Sequence, residues 1–433
     1  MSLVTPRKGY KSVPWLFGKE IEIPEEWEVK KFEDIAKIRR GASPRPIEDS
    51  KYFGKGRGWI RISDVTKSKK YLKQTTDFLS DLGESKSVAV NDGDVILSIA
   101  ASVGKPIIIK MKACIHDGFI TFTNMSNTMN NEFLYYLLLK TKSTFTNIGQ
   151  HGTQSNINSE IVSKTNFLNP PLHEQQKIAT ILSNVDNLIE STGKVITHSK
   201  KVKTGLMQKL LTRGIGHTKF KKVPWLFGRE IEIPEEWEVR KLDSLVTLLT
   251  NGFVGKAKEH YTESENGVLY IQGYNIEENN FKFHGIKYVT PQFHKQQQKS
   301  NLQLGDLLTV QTGNVGTTAI ISKSLVGANC HALIISRFKK EIADSDYFCQ
   351  YFNSRLCQKS FKSIEIGTSL KHLNGSDMKR LQFVLPPLPE QQKIASILSN
   401  VDSKITSQEQ YKENLERLKK SLMQKLLTGE IRV

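Results

Sequence analysis

The chain has 433 residues, 38% hydrophobic and 9% aromatic, with a formal net charge of +18 and an isoelectric point near 9.5. That length exceeds one ordinary core and points to two domains with connectors; the aliphatic content argues against a disordered chain, and a mean hydropathy of −0.38 fits a soluble protein with extended polar surface. No apolar run approaches the ~18 residues that span a bilayer, since even Val95–Met111 is broken by Gly104, Lys105 and Pro106.

The N-terminal stretch Met1–Lys11 is polar and basic with no apolar targeting segment, so a cytoplasmic location with no membrane partner is expected. It leads into Val13–Lys31, a block that contains Trp15, Phe17 and Trp27. Short apolar or β-branched runs follow at Gly58–Ile62, Val95–Ile99, Ile107–Lys110 and Phe119–Thr123, separated by Gly, Asn and Asp, and these predict strands. A helix is predicted over Asn131–Lys142. Pro170-Pro171 ends this domain, because consecutive prolines fit neither a helix interior nor a central strand. A long helix is expected next, with Ile178, Ile181, Val185, Leu188, Thr192, Val195, Ser199, Val202 and Leu206 on alternating steps of three and four.

The chain then starts again. Val13–Lys31 returns as Val223–Lys241 with only Lys19 exchanged for Arg229 and Lys30 for Arg240. Pro170–Asp186 returns as Pro386–Asp402, and Leu206–Thr212 as Leu422–Thr428. The offsets are 210 for the first block and 216 for the others. A helix is predicted at Asp346–Gln358, and the heptad frame returns as Ile394, Ile397, Val401, Lys404, Gln408, Tyr411, Leu415, Leu418 and Leu422. The interiors, 32–165 and 242–380, share only a skeleton: Asp92-Gly-Asp94 against Leu304-Gly-Asp306, and Gly152-Thr153 against Gly367-Thr368. Near-identical flanks suit two copies of one partner, whereas dissimilar interiors suit two different targets.

The expected fold is α/β (α+β), mostly antiparallel, with two pseudo-two-fold-related recognition domains separated by a pair of long antiparallel coiled-coil helices. The expected segments are 1–170 and 216–386 for the domains, 171–215 and 387–433 for the helices. Helices of this length are on the order of 60 Å, enough to hold two reading domains at half-sites ~34–36 Å apart.

The ordered blocks Ile23-Pro-Glu-Glu-Trp27, Gly41-Ala-Ser-Pro-Arg-Pro46, Asp92-Gly-Asp94, Gly152-Thr153 and Pro170-Pro-Leu-His-Glu-Gln-Gln176 resemble those of the specificity subunit of type I restriction–modification enzymes. The resemblance covers essentially the whole chain. It implies a bipartite duplex DNA target, two methyltransferase subunits and motor–nuclease restriction subunits as partners. It also implies no cofactor in this chain, with S-adenosylmethionine, ATP and Mg in the partner subunits. The basic charge independently favours a polyanion.

Base edges are read by Arg or Lys on guanine and by Asn or Gln on adenine, and phosphates by basic side chains and exposed backbone amides. In the first domain Arg39, Arg40, Ser43, Arg45, Lys55, Arg57, Trp59 and Arg61 fit these roles. Ser102 and Lys105, and the loop with Gln150, His151, Thr153 and Gln154, occupy places where proteins of the resembled family face DNA. The corresponding stretches of the second domain hold Asn251, Lys256, Lys258, Gln272, Tyr274, Asn275, Thr312, Asn314, Thr368, Lys371 and His372. They are amide-rich where the first domain is arginine-rich, as unlike half-sites require.

No catalytic or metal site is expected. Asn169-Pro-Pro-Leu172 lacks the aromatic of an adenine methyltransferase motif, and its repeat, Leu385-Pro-Pro-Leu388, has lost the Asn too. No phosphate-binding Gly-x-x-x-x-Gly-Lys loop exists. Cys114, Cys330, Cys349 and Cys357 form no CxxC pair, and Cys330-His331, beside apolar Ala332–Ile335, reads as core. Glu174 and Glu390 open the long helices and read as structure or partner contact. Two alternatives stand beside this reading: the specificity subunit of another modification–restriction class, and a coiled-coil adaptor that binds two identical proteins and no DNA.

Overall fold

The computed structural model describes residues 7–15, 19–100, 103–150 (backbone alone for 143–150), 158–225, 230–365 and 371–433. Its contacts divide the chain into two units, 1–193 with 410–433, and 194–409.

In the first unit, among the described residues, one sheet runs in the order Lys37–Arg40, Phe119–Thr123, Val95–Ser98, Pro106–Ile109, Tyr71–Leu72. A second runs Asp77–Leu79, Phe53–Ile60, Ala113–Ile115, Val88–Val90. Pairing is antiparallel except at Tyr71–Leu72 and between Phe53–Ile60 and Ala113–Ile115. Helix Asn131–Gln150 covers the larger sheet, burying Phe133, Leu134, Leu137 and Leu138 in one core with Val95, Leu97 and Ile120. The predicted run Gly58–Ile62 stops as a strand at Ile60, and Ile62 opens a short helix.

The second unit repeats this plan with a smaller pair of sheets. Val246–Asn251, Leu333–Phe338, Leu307–Val310 and Thr318–Ile320 form one; Tyr261–Thr262, Lys287–Val289, Val268–Ile271 and Asn329–Cys330 form the other. Among the described strands one pair is parallel here, Val268–Ile271 with Asn329–Cys330, the counterpart of Phe53–Ile60 with Ala113–Ile115. The helix expected over Asp346–Gln358 is two helices, Ser345–Asn353 and Arg355–Ser363. Ser354 separates them with extended backbone, and its hydroxyl accepts the Cys357 N–H as an N-cap.

The shared Gly-Asp turn has a mechanical cause. Gly93 (φ +89°) and Gly305 (φ +85°) sit in the left-handed region that favours glycine. The following carboxylates accept the backbone N–H three residues back, Asp94 from Asn91 and Asp306 from Gln303, both at 2.7 Å.

The strand before each Pro-Pro pairs with the end of the repeated block: Asn166–Asn169 with Glu28–Lys31, and Gln382–Leu385 with Glu238–Lys241. The long helices then run Leu172–Arg213 and Leu388–Leu426. Within the first unit Ile178 and Leu182 share a core with Leu422 and Leu426, and Lys419 bridges Asp186 at 2.7 Å. Within the second, Leu206 and Leu210 share one with Ile394 and Leu398, and Lys203 bridges Asp402 at 2.5 Å. Later residues of one helix meet earlier residues of the other, so the packing is antiparallel.

The seam differs by one flank from the predicted frame. Ile178, Val185, Thr192, Ser199 and Leu206 face inward as expected, but the alternate positions are Leu182, Ile189, Ile196 and Lys203. Leu188, Val195 and Val202 are exposed, as are Tyr411 and Leu418. Two apolar stripes lie side by side on each helix, and the periodicity alone does not say which is covered.

The repeated flanks anchor these helices. Trp27 and Trp237 are buried, and each indole N–H donates at 2.9 Å to the carboxylate near a helix start, Glu174 and Glu390. Arg432 also grips Glu174, and His217 grips Glu390. Trp15 and Trp225 pack at the edges of the same cores; Phe17 and Phe227 lie outside the described residues. The carboxylates are therefore structural.

Candidate nucleic-acid interface

Parallel strands end at the same edge of a sheet, so whatever follows them leaves side by side. In the first domain Ile60 pairs with Ile115, which places Arg61 beside His116. In the second, Ile271 pairs with Cys330, which places Gln272 beside His331. The backbone after each strand begins with the same cap, Arg61 N–H donating to Asp64 at 2.9 Å and Gln272 N–H to Asn275 at 3.1 Å, before an α-helix in the first domain and a single 3-10 turn in the second.

A glycine loop closes over each edge. Gly41 N–H donates to Phe119 O, and Gly252 N–H to Leu333 O. A Cβ at Gly41 would lie 2.1 Å from His116 O, and one at Gly252 2.6 Å from Cys330 O, so only glycine permits the approach. Arg39 and Arg40 precede Gly41, and Asn251 precedes Gly252.

In the first domain Asp117 gathers this loop. Its carboxylate accepts from Ser43 Oγ at 2.9 Å and Arg45 Nη2 at 3.2 Å, and its carbonyl from Arg40 Nε at 2.9 Å. Burial pushes the Asp117 carboxyl up, but Ser43, His116 and Arg45 together hold it below its ordinary value. His116 Nδ1 accepts Gly118 N–H at 2.7 Å, which places the ring proton of the neutral imidazole on Nε2. Burial holds His116 below its ordinary value against the upward pull of Asp117, with the Arg61 charge adding to the depression.

In the second domain a cavity of about 510 Å³ is lined by Gly255, Lys256, Ala257, Lys258, Glu259, Tyr261 and His331. Gln272 donates to the Tyr261 hydroxyl at 3.2 Å, and the Tyr270 hydroxyl lies 3.1 Å from His331 Nδ1. Burial lowers the His331 pKa. Each domain thus carries an imidazole, an aromatic and a basic or amide side chain at one strand-end edge.

A family model described as the type I restriction modification DNA specificity domain matches residues 24–198 and again 234–417. The chain belongs to this family. It is a type I specificity subunit with two recognition domains. The type I restriction enzyme MjaVIII specificity subunit of Methanocaldococcus jannaschii is 28% identical, with 95% of each chain covered. The putative MjaX specificity subunit of the same organism is 30% identical, again with 95% of each chain covered. Among solved structures, the type I S subunit from M. genitalium aligns over 93% of this chain and 96% of its own at a TM-score of 0.55 and 13% identity. A chain from a type I restriction–modification system studied for complex assembly and conformational transition aligns over 94% and 99% at 0.57 and 14%. At those identities the structural matches speak for the fold.

The other candidates of this specificity subunit divide by their contacts. Arg39, Lys55, Lys256 and Lys258 are exposed. Four candidates serve the domain itself. Trp59 is 1% exposed, its ring packed against Phe53. Asn275 is buried and donates to Lys282 O and His284 O. Arg57 bonds Val90 O and Asn91 and pairs with Glu84. Lys105 donates to the carbonyls of Val65, Thr66 and Ser68 at the end of a short helix.

Tyr274 is exposed, with its hydroxyl on Gly285 O. Thr312 and His372 form a hydrogen-bonded pair at 3.0 Å. Asn314 and Lys371 line a different cavity, of about 600 Å³, together with Glu277, Glu278 and Glu365. Those carboxylates oppose an anionic ligand. Ser102, His151, Thr153, Gln154 and Thr368 lie outside the described residues, and Gln150 is described only as the last residue of its helix.

His116 and Asp117 are not among the sequence candidates, and the sequence pattern places His331 in the core. Cys330 is indeed buried, while His331 lines the cavity. The available signal was a histidine recurring at an offset of 215, between the 210 and 216 of the flanking blocks. Among the described residues no group of three His, Cys, Asp or Glu could hold a metal, and no helix is long and apolar enough to cross a membrane.

Proposed function

We propose that this specificity subunit reads a bipartite duplex DNA site, one half-site through 1–170 and the other through 216–386. The paired helices, 171–215 and 387–433, set the length of an unread spacer. The chain itself performs no chemistry. Two methyltransferase subunits engage the repeated flanks, restriction subunits join them, and S-adenosylmethionine, ATP and Mg belong to those partners.

The observation that carries the reading is one strand-end edge built twice on matched backbone, with different side chains on it. Near-identical flanks serve identical partners; changed side chains at corresponding backbone positions serve changed bases. Arg39, Lys55, Lys256 and Lys258 supply exposed charge for phosphates, whose neutralisation releases counterions and makes binding fall with salt. The names of the relatives, all specificity subunits of type I restriction enzymes, agree with it.

Titrating duplex DNA with the subunit and its methyltransferase partner at several salt concentrations tests this. The affinity should drop roughly 10³–10⁵-fold between 50 and 200 mM salt if six to ten phosphates are contacted, and should depend on sequence. Absent or salt-insensitive binding would favour the adaptor instead.

A further inference from the structure

We propose that Arg61 and Gln272 are one structural position used twice, and that they discriminate the two half-sites, Arg61 by reading a guanine and Gln272 an adenine. This rests on the bipartite reading above.

The equivalence comes from backbone. Each residue directly follows a strand in the parallel pair, lies beside the histidine that follows the partner strand, and donates its N–H to the side chain three residues on. The side chains are also held alike, from one side only. Arg61 Nε pairs with Asp77 at 2.6 Å, and its guanidinium lies 4.8 Å over the buried Trp59 ring. Among the described residues its two terminal nitrogens have no hydrogen-bond partner. A guanidinium pinned at Nε and on its face offers those two nitrogens as a fork, the geometry that matches guanine O6 and N7.

Gln272 is pinned through one N–H, to the Tyr261 hydroxyl. Its carbonyl oxygen and second amide proton have no partner among the described residues. That acceptor–donor edge matches adenine N6–H and N7. Pinning removes rotamer freedom before binding, which favours reading over loose electrostatic contact. Trp59 and Tyr270, the residues two positions before, are both buried under these side chains' strands, so the aromatic candidate of the first domain acts as a support.

The test uses the whole methyltransferase complex on a random duplex pool, with modified sites sequenced. Arg61→Lys keeps the charge opposite Asp77 and loses the fork. It should relax one guanine of one half-site by ~10-fold or more, leaving the other half-site and the spacer intact. Gln272→Met should relax one adenine of the other half-site only. Asp77→Asn, which leaves Arg61 in place, should keep the guanine in the motif. Motifs unchanged in both variants would overturn the inference, as would a uniform loss of modification at every sequence by a variant that melts like the wild type, the mark of a phosphate contact. Should Lys at 61 prevent folding, the Gln272→Met arm decides in the same way. A wild-type complex without a bipartite motif would instead remove the reading on which this rests.

Discussion

Gln175 and Gln391 sit near the starts of exposed-looking helices, yet both are fully buried. Gln391 accepts Asp344 N–H and donates to Ile342 O and Pro386 O; Gln175 makes the matching set with Asn130, Thr128 and Pro170. Each amide thereby stitches a long helix to the domain before it, satisfying groups that a buried junction would otherwise orphan. Gln391→Leu should lower stability by about 2–4 kcal/mol, since it strands several buried partners at once; thermal melting checks this. At this scale the sequence was legible in kind more than in detail. Arg-rich and amide-rich loops were visible, but not that Arg57 and Lys105 spend their charge on carbonyls. Such bonds depend on which loop folds over which, and no local spacing encodes that. The depressed pKa of His116 likewise arises from burial between strands distant in sequence.

The long helices were legible as elements because their heptad spacing is sustained and returns on the same frame after 216 residues. Their covered face was not, because Leu188, Val195 and Val202 form as good a stripe as Leu182, Ile189 and Ile196. Lys203 lies on the covered stripe and pairs with Asp402, which also accepts from Gln350 at 2.7 Å. The bridge therefore ties the helix pair to the domain as well as one helix to the other. Lys203→Asp alone should cost about 1–3 kcal/mol, since it leaves like charges in a half-buried site. Pairing it with Asp402→Lys should recover part of that loss, and a double-mutant cycle of melting curves measures the coupling. The helix expected over Asp346–Gln358 shows the opposite failure: the apolar period runs on through a break that Ser354 makes by capping. A serine inside an apolar helical run was the signal for it.

For the whole chain, the internal repeat outweighed composition. A charge of +18 favours nucleic acid without specifying how it is bound, whereas near-identical flanks around dissimilar interiors imply two targets and one kind of partner. The family match over both halves agrees with that organisation. The equivalence of Arg61 and Gln272 stayed hidden because each occupies the same place on the edge of its own domain, which is visible only once the parallel strand pairs are known. In the proposed function two domains read two half-sites across a spacer set by the helices. That arrangement is tested most directly by mapping every methylated adenine in DNA exposed to the complex of this subunit with its methyltransferase. The expected motif has two short specified blocks separated by a gap of fixed length and free sequence. A single contiguous motif would contradict it.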